Sequence, residues 1–397
     1  MEVFQVIDDK NNCFGLYSGG KFVYDRIPNT YGRTECWSQH LLGHDIEYSY
    51  LFSGGKSLSE TCPVHLKERF EARQRKIKAF VRSFLKAKIK IDDACLFDLI
   101  PKAHLMHYLD AKNQICQHVF ETYERPANYS FLRETYETIR EISLQRLKID
   151  WKLLESLAKT DLKAGSLLKR FSGGSVHVNY NMFGTRTGRL SINEGSFPIL
   201  NVKSENKVVL QPQNDWFVEF DYNGAEVRTL FSLSNKDQPS GDVHDWNMQH
   251  LYDRVRTRDG AKKKFFAWLY NPEAKCEASD NFYDRQRILG SHYSNGIIET
   301  PFGRRIEADD FHALNYLLQS SSSDNCIRQV NKIHRFLRNK KSNVAFVVHD
   351  SVVIDLANDE RHILPQIKEI FEDTHLGRFP VGIKIGKNYG QLRSFSW

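Results

Sequence analysis

"NVAFVVHDSVVIDL", Asn343 to Leu356, is two apolar, β-branched runs hinged on His349-Asp350-Ser351. Such residues fit the pleated surface of a sheet, so the stretch reads as a hairpin with an acid at or near its turn. Runs apolar on both faces belong to buried strands, which places Asp350 at the rim of a rigid sheet. A second stretch, "WFVEFDYNGAEVRTLFSLS" (Trp216 to Ser234), has the same design. Asp221 ends an apolar strand, Glu226 and Arg228 stand just inside a following helix, and Gly224 between them allows close approach. Either aspartate alone also suits a turn or a helix N-cap. As a pair on adjacent strands they repel each other and call for a cation. Hard Mg²⁺ suits them, particularly where substrate phosphates complete its shell. Two such ions about 3.5–4 Å apart would activate an attacking oxygen and steady a leaving phosphate oxygen.

Upstream of the hairpin, "RTRDGAKKKFFAWLY" (Arg256 to Tyr270) carries Arg258, Lys262, Phe266 and Tyr270 at four-residue intervals. Each such step advances a helix by about 400°, so the four side chains wind over a third of the circumference along roughly 18 Å. The result is one ladder of two cations and then two rings. Cations at a helix N-terminus oppose its dipole unless an anion is present. A triphosphate would supply that anion, and the rings could cover a base and its sugar. Gly260 costs about 1 kcal/mol relative to Ala inside a helix, which a flexible basic tag would have no reason to carry. Lys263 and Lys264 fall off the ladder and are expected to face solvent or DNA.

The remaining composition bounds the class. The chain has 397 residues and a formal net charge of +7, which permits a polyanionic partner without demanding one. Its longest apolar stretches, such as Val344 to Val348, are too short to span a bilayer, and the first residues lack a basic region followed by an apolar one. Seven dispersed cysteines without a CxxC pair fit free thiols in a reducing compartment. Between Lys67 and Lys90 lie ten Lys or Arg, with Ile77, Phe80, Val81, Phe84 and Leu85 at helical spacing. This is an amphipathic helix with a basic face, open to a solvated or a phosphate-binding reading. Residues 1 to about 60 suggest a small strand-rich or α/β domain, and the pattern is helical from Cys62 to about Arg170. Ser320 to Ser323 interrupt no helical spacing, so they read as the small face of one helix.

In this order the pieces resemble the polymerase domain of family A, DNA polymerase I-like, DNA polymerases, from about Ser130 onward. "TRTGRLS" (Thr185 to Ser191) is similar to the family's TxTGRLS, which implies a primer contact for Arg189. "DYNGAEVR" is similar to motif A, DYSQIELR. It implies Asp221 as a metal ligand, a backbone carbonyl ligand from Tyr222, and Glu226 as the group excluding a ribose 2′-hydroxyl. "DVH" matches DIH and implies a phosphate contact for His244. The ladder matches motif B, RxxxKxxxFxxxY. Arg258 and Lys262 would hold the triphosphate, Phe266 would lie against the incoming nucleotide, and Tyr270 near the templating base. "NYLLQS" supplies Asn315 and Gln319 as DNA contacts, and "VHDS" resembles motif C, VHDE, with Asp350 as second metal ligand and His349 near the primer terminus.

The resemblance implies an α/β (α+β) right-hand fold: an antiparallel-sheet palm, helical fingers, a much reduced thumb and a small N-terminal α/β domain. The expected division is 1–62 N-terminal domain, 63–128 basic helical region, 129–178 thumb, 179–241 palm with motif A, 242–310 fingers, and 311–397 palm with motif C. The expected activity is template-directed DNA synthesis with Asp221, Asp350 and Lys262 as the catalytic groups and two Mg²⁺ ions, Mn²⁺ being able to substitute. Its partners would be primer-template DNA and deoxynucleoside triphosphates, with scope for a separate processivity factor or exonuclease subunit and no membrane. The setting would be cytoplasmic, in an infected bacterial host if the enzyme is phage-encoded. A single-subunit RNA polymerase and a catalytically dead primer-template binder are the alternatives.

Departures from the family pattern sharpen the reading. Gly224 replaces a Gln of motif A, Ser351 replaces the acid after the catalytic Asp, and Asn271 replaces the Gly after motif B. "ISLQRLKIDWKLLE" resembles the start of the thumb, yet only 39 positions separate Asp150 from Arg189, so weak grip and low processivity are expected. Residues 1–128 occupy the place of a proofreading exonuclease. Asp45-Ile46-Glu47 is the only early DxE, and Met106 stands four residues before Asp110 where a Tyr is needed, so working proofreading is not expected.

Overall fold

The computed structural model describes residues 5–6, 16–23, 47–89, 96–271 and 273–396. It divides into two compact units, Met1–Glu137 and Thr138–Trp397. The first contains a three-stranded antiparallel sheet (Gln5–Val6, Leu16–Ser18, Lys21–Val23) and two long helices, α1 (Val64–Lys86) and α2 (Lys102–Thr122). Both helices begin directly after a proline, Pro63 and Pro101, which ends the preceding chain in an extended conformation. They pack together because their apolar residues recur every three or four positions. Leu66 and Phe70 meet Ala111 and Ile115 at one end, while Ile77, Phe80 and Phe84 lie on the Leu105 and Leu109 cluster at the other. Helix α3 (Tyr129–Leu144) runs across the division between the units.

Of the exonuclease candidates, Asp45 and Ile46 lie outside the described residues. Glu47 pairs with Arg125 at 3.1 Å, and Asp110 pairs with Arg69 at 2.5 Å.

After the end of α3 the second unit continues with two short helices, α4 (Trp151–Leu157) and α5 (Leu162–Phe171), capped by Asp150 and Asp161. Strand β1 (Trp216–Tyr222) then leads into α6 (Ala225–Leu233), α7 (Val243–His250), α8 (Arg258–Tyr270), α9 (Glu277–Tyr283) and α10 (Arg285–His292). The long α11 (Ala313–Leu337) is followed by strands β2 (Asn343–Val348) and β3 (Ser351–Leu356), helix α12 (Leu364–Glu372), and strands β4 (Val381–Gly386) and β5 (Arg393–Ser394).

The strands form one antiparallel sheet of order β2-β3-β1-β4-β5. Every residue of β3 is buried: Val352, Val353, Ile354 and Leu356 as apolar residues, and Asp355 with its carboxylate accepting from the backbone N–H groups of Gln213 and Asn214. The fold is the expected mixture of helices and antiparallel sheet. Ser320–Ser323 lie buried within α11, whose helix continues through them. Small side chains there let other chain come close: the Ser323 hydroxyl donates to the Gly188 carbonyl at 3.5 Å, and beside it Arg304 makes a bidentate pair with Asp324 of α11, so near Gly188 that a Cβ there would meet the guanidinium at 2.4 Å. Among the described residues no helix is long and apolar enough to cross a membrane.

Candidate active site

Antiparallel pairing of β3 with β1 sets Ser351 opposite Asp221, so Asp350, one residue earlier in the hairpin turn, stands at the same end of the sheet. His349 takes a left-handed conformation (φ 53°) to make that turn. Asp221 is accessible to solvent yet recessed, and loss of hydration pushes its carboxyl up to about 6, with Glu219 and Asp350 adding repulsion that outweighs the pull of Lys384. Burial likewise pushes Asp350 up to about 6, against the pull of Arg189. Both acids therefore carry charge that the protein itself does not neutralise.

No group of three or more His, Cys, Asp or Glu side chains among the described residues is arranged to hold a metal. The two aspartates alone still fit a divalent ion, because an uncompensated carboxylate pair is the feature a dication relieves, and backbone and phosphate oxygens can complete its shell. The Tyr222 side chain is committed elsewhere: its ring stacks on Phe371 at 4.2 Å and its hydroxyl donates to the Phe371 carbonyl at 2.6 Å. Only its backbone is free to contribute.

Beside the acids, Glu226 in the first turn of α6 accepts hydrogen bonds from both Arg189 and the Tyr270 hydroxyl. This one carboxylate ties the TRTGRLS loop, motif A and the C-terminal end of α8 together. Its position depends on Gly224, which caps α6 with φ 68° and approaches Val243 so closely that a Cβ would lie 2.6 Å from that side chain. The glycine that departs from the family pattern is thus demanded by the local backbone.

Helix α8 has the bounds expected from the ladder. Thr257 caps it through the Gly260 N–H, and a Cβ on Gly260 would crowd Thr257 and Val255 at 3.0 and 3.1 Å. Gly260 therefore lies in the first turn, where close packing, rather than an interior penalty, explains it. Arg258 opens the helix and pairs with Asp242 at 2.7 Å. The anion expected to relieve this N-terminal cation is present within the chain. Asp242 also accepts from the Asn223 side chain and from the backbone of His244 and Asp245, and these donors hold its carboxyl far below the usual range. Lys262, exposed one turn on, has no acidic partner among the described residues. Phe266 and Tyr270 stack at 5.4 Å with planes 7° apart. Lys264 lies over the Tyr252 ring at 4.6 Å instead of pointing freely outward.

His244 is buried beside Phe266, and its Nδ1 has no hydrogen-bond partner. Burial lowers its basicity, with Arg258 and Lys262 acting in the same direction against Asp242 and Asp245. His349 is lowered by desolvation too, with Arg189 and Lys207 acting in the same direction. Asn315 and Gln319, one turn apart on α11, hydrogen-bond to each other.

Three groups important to this arrangement were given no role from sequence. Arg228 is fully buried and donates to the carbonyls of Asn223, Pro239 and Gly241, fixing the loop that delivers Asp242. Glu219 pairs with Lys384 of β4 at 3.0 Å beside Asp221. The Arg304–Asp324 pair underlies Gly188, next to Arg189. Glu219 had a visible signal, since a charged residue two before Asp221 on an apolar strand shares its face.

The site is thus an antiparallel sheet with two aspartates at its rim, bordered by a helix that bears cations and then aromatic rings. In fold the chain is similar to the POL domain of Pol1 from M. smegmatis, a structure in complex with DNA primer-template and dNTP. The TM-score is 0.61 and the identity 14%, covering 86% of this chain and 81% of that one. In sequence it is similar to DNA polymerase I of Chloroflexus aurantiacus, 22% identical over 326 residues, covering 68% of this chain and 34% of that protein. The thermostable DNA polymerase I of Thermus aquaticus is 22% identical over 265 residues, covering 54% of this chain and 32% of that protein. No protein-family model matches. The chain spans about a third of the length of the curated relatives it matches. Sequence and fold thus agree on the same resemblance, to family A, the DNA polymerase I-like polymerases.

Proposed function

We propose that the chain is a template-directed DNA polymerase that adds deoxynucleotides to a primer 3′ end. The observation that carries this reading is the pair of uncompensated aspartates, Asp221 and Asp350, brought to one sheet end by the β1–β3 register. Divalent ions, when bound, would supply activation of the primer oxygen and neutralisation of phosphate charge. Asp221, Asp350 and the Tyr222 carbonyl would hold them. Lys262 and Arg258 would bind the triphosphate, Arg258 exchanging Asp242 for phosphate. Phe266 and Tyr270 would support the nucleotide, and Glu226, held by Arg189 and Tyr270, would close the space a 2′-hydroxyl needs. His244, Asn315, Gln319 and His349 are assigned their phosphate and DNA contacts by motif position. The short segment between Asp150 and Arg189 supports a phage or other viral replicative setting.

Primer extension with purified protein tests the reading. The wild type should extend a primer with deoxynucleotides in preference to ribonucleotides in Mg²⁺, and Asp350→Ala should lose at least about 10³-fold in rate while still binding primer-template. A wild type that binds primer-template and extends nothing would leave the dead-scaffold alternative standing.

A further inference from the structure

The first unit carries a cationic surface that the active site does not use. From residue 72 to residue 88, α1 and the turn after it contain seven Lys or Arg and no Asp or Glu. On a helix advancing 100° per residue, Arg75, Lys78, Arg82 and Lys86 fall within about 80° of one another and span about 16 Å along the axis. All four are exposed, on the side opposite Leu66, Phe70, Ile77, Phe80 and Phe84. Arg75 reaches Glu71 at only 3.9 Å, and the other three have no acidic partner among the described residues. The spacings of three, four and four residues make each neighbour a like-charge pair, an arrangement that destabilises an isolated helix. A surface evolved only for solubility intersperses both signs. This stripe instead keeps a repulsive line that a polyanion would relieve.

Two further observations narrow the partner. The apolar face of α1 is already packed on α2, and the exposed Val64 and Leu85 stand singly at its two ends, so the helix has no continuous apolar face to bury in a lipid interface. The stretch between Asp150 and Arg189, where duplex grip is expected, holds two short helices, α4 and α5, of 7 and 10 residues, and the two-residue strand Tyr180–Asn181. Duplex DNA presents one negative charge per about 1.7 Å of axis, a density that a four-cation line can engage at any sequence. We propose that the Arg75, Lys78, Arg82 and Lys86 stripe is a second, sequence-independent contact to the phosphate backbone of duplex DNA. The choice of duplex DNA rests on the polymerase reading; the polyanion-binding character of the stripe does not.

The test uses the full chain and a blunt DNA duplex, with affinity measured by fluorescence anisotropy from about 50 to 200 mM salt. Each lost phosphate contact lowers the slope of log K against log salt by about 0.9, so the quadruple variant Arg75→Gln/Lys78→Gln/Arg82→Gln/Lys86→Gln should lose about 3 to 4 from the slope. Lys78→Gln and Arg82→Gln alone should each lose about 0.9, which keeps the test valid if the quadruple variant misfolds. The charge-preserving Arg75→Lys/Arg82→Lys should bind like wild type. Single-nucleotide addition at saturating DNA should be unchanged in all variants, while products per binding event shorten in the neutralised ones. Wild-type slope and affinity in the neutralised variants, with helix content intact by circular dichroism, would overturn the proposal. So would unchanged duplex binding together with lost binding to phosphatidylserine vesicles. A wild type with the stripe-dependent slope but no primer extension would sink the polymerase reading and leave this one in place.

Discussion

The sheet rim and the α7–α8 segment carry opposite charges and treat them differently. On the rim, Asp221 and Asp350 are left uncompensated, so each is held above the usual carboxylate range at the expense of hydration. On the helical side, Arg258 is neutralised by Asp242, and Glu226 at the start of α6 is satisfied by Arg189 and Tyr270, while Lys262 has no acidic partner among the described residues. Groups left without a partner depend on a ligand for compensation, whereas groups already paired must exchange one partner for another. The difference predicts which substitutions are severe and which are mild.

Among the groups on α8, removing the open cation should hurt most. Lys262→Ala is expected to lower kcat/KM for the incoming nucleotide by about 10²–10³, read by single-turnover primer extension, because no second open cation stands in its place on the ladder. A loss under fivefold would break the comparison. Removing an uncompensated acid should act on stability with a definite sign. The folded pKa of Asp350 lies above its unfolded value, so its contribution is fully present below about pH 4 and is lost as pH rises through about 6. Metal-free Asp350→Asn should therefore be more stable than wild type at pH 8, by up to on the order of 3 kcal/mol. The gap should close toward pH 4, and Mg²⁺ should raise the Tm of the wild type more than that of the variant. Equal Tm profiles would contradict this account.

The smallest effect belongs to the internal pair. Asp242→Asn keeps a side-chain acceptor for the α7 N-terminus but frees Arg258, which is nearly half exposed. It should cost about 1 kcal/mol of stability and lower KM for the nucleotide a few-fold, since Asp242 no longer competes with phosphate. A raised KM would show that Asp242 orients Arg258 instead of competing for it.

Local patterning made much of this legible. The four-residue ladder specified α8 from Arg258 to Tyr270, because cations and rings at that interval share a helical surface. The apolar runs around His349-Asp350 specified the β2–β3 hairpin, and unbroken spacing carried α11 through four serines. What stayed hidden are the pairings between segments far apart in the chain. Asp242 sat in a recognisable DVH yet gave no sign that it would hold Arg258, and Arg228 looked like an ordinary helix cation until its three carbonyl partners closed around it. Gly224 read as a point of close approach, but that the approach is to Val243, and that its left-handed φ makes the glycine a steric requirement, came only from the fold.

The sequence by itself determined the elements and the chemical kinds of group they carry, because periodicity, turn residues and side-chain type are local properties. Only the tertiary structure decided which charges are matched and which are not. Charge compensation depends on distances between strands and helices, and those are set by sheet register and packing. The same residue types that read as one cationic ladder beside two acids thus resolve into Arg258 held by Asp242, Lys262 left open, and two aspartates whose charge the protein leaves for a ligand to answer.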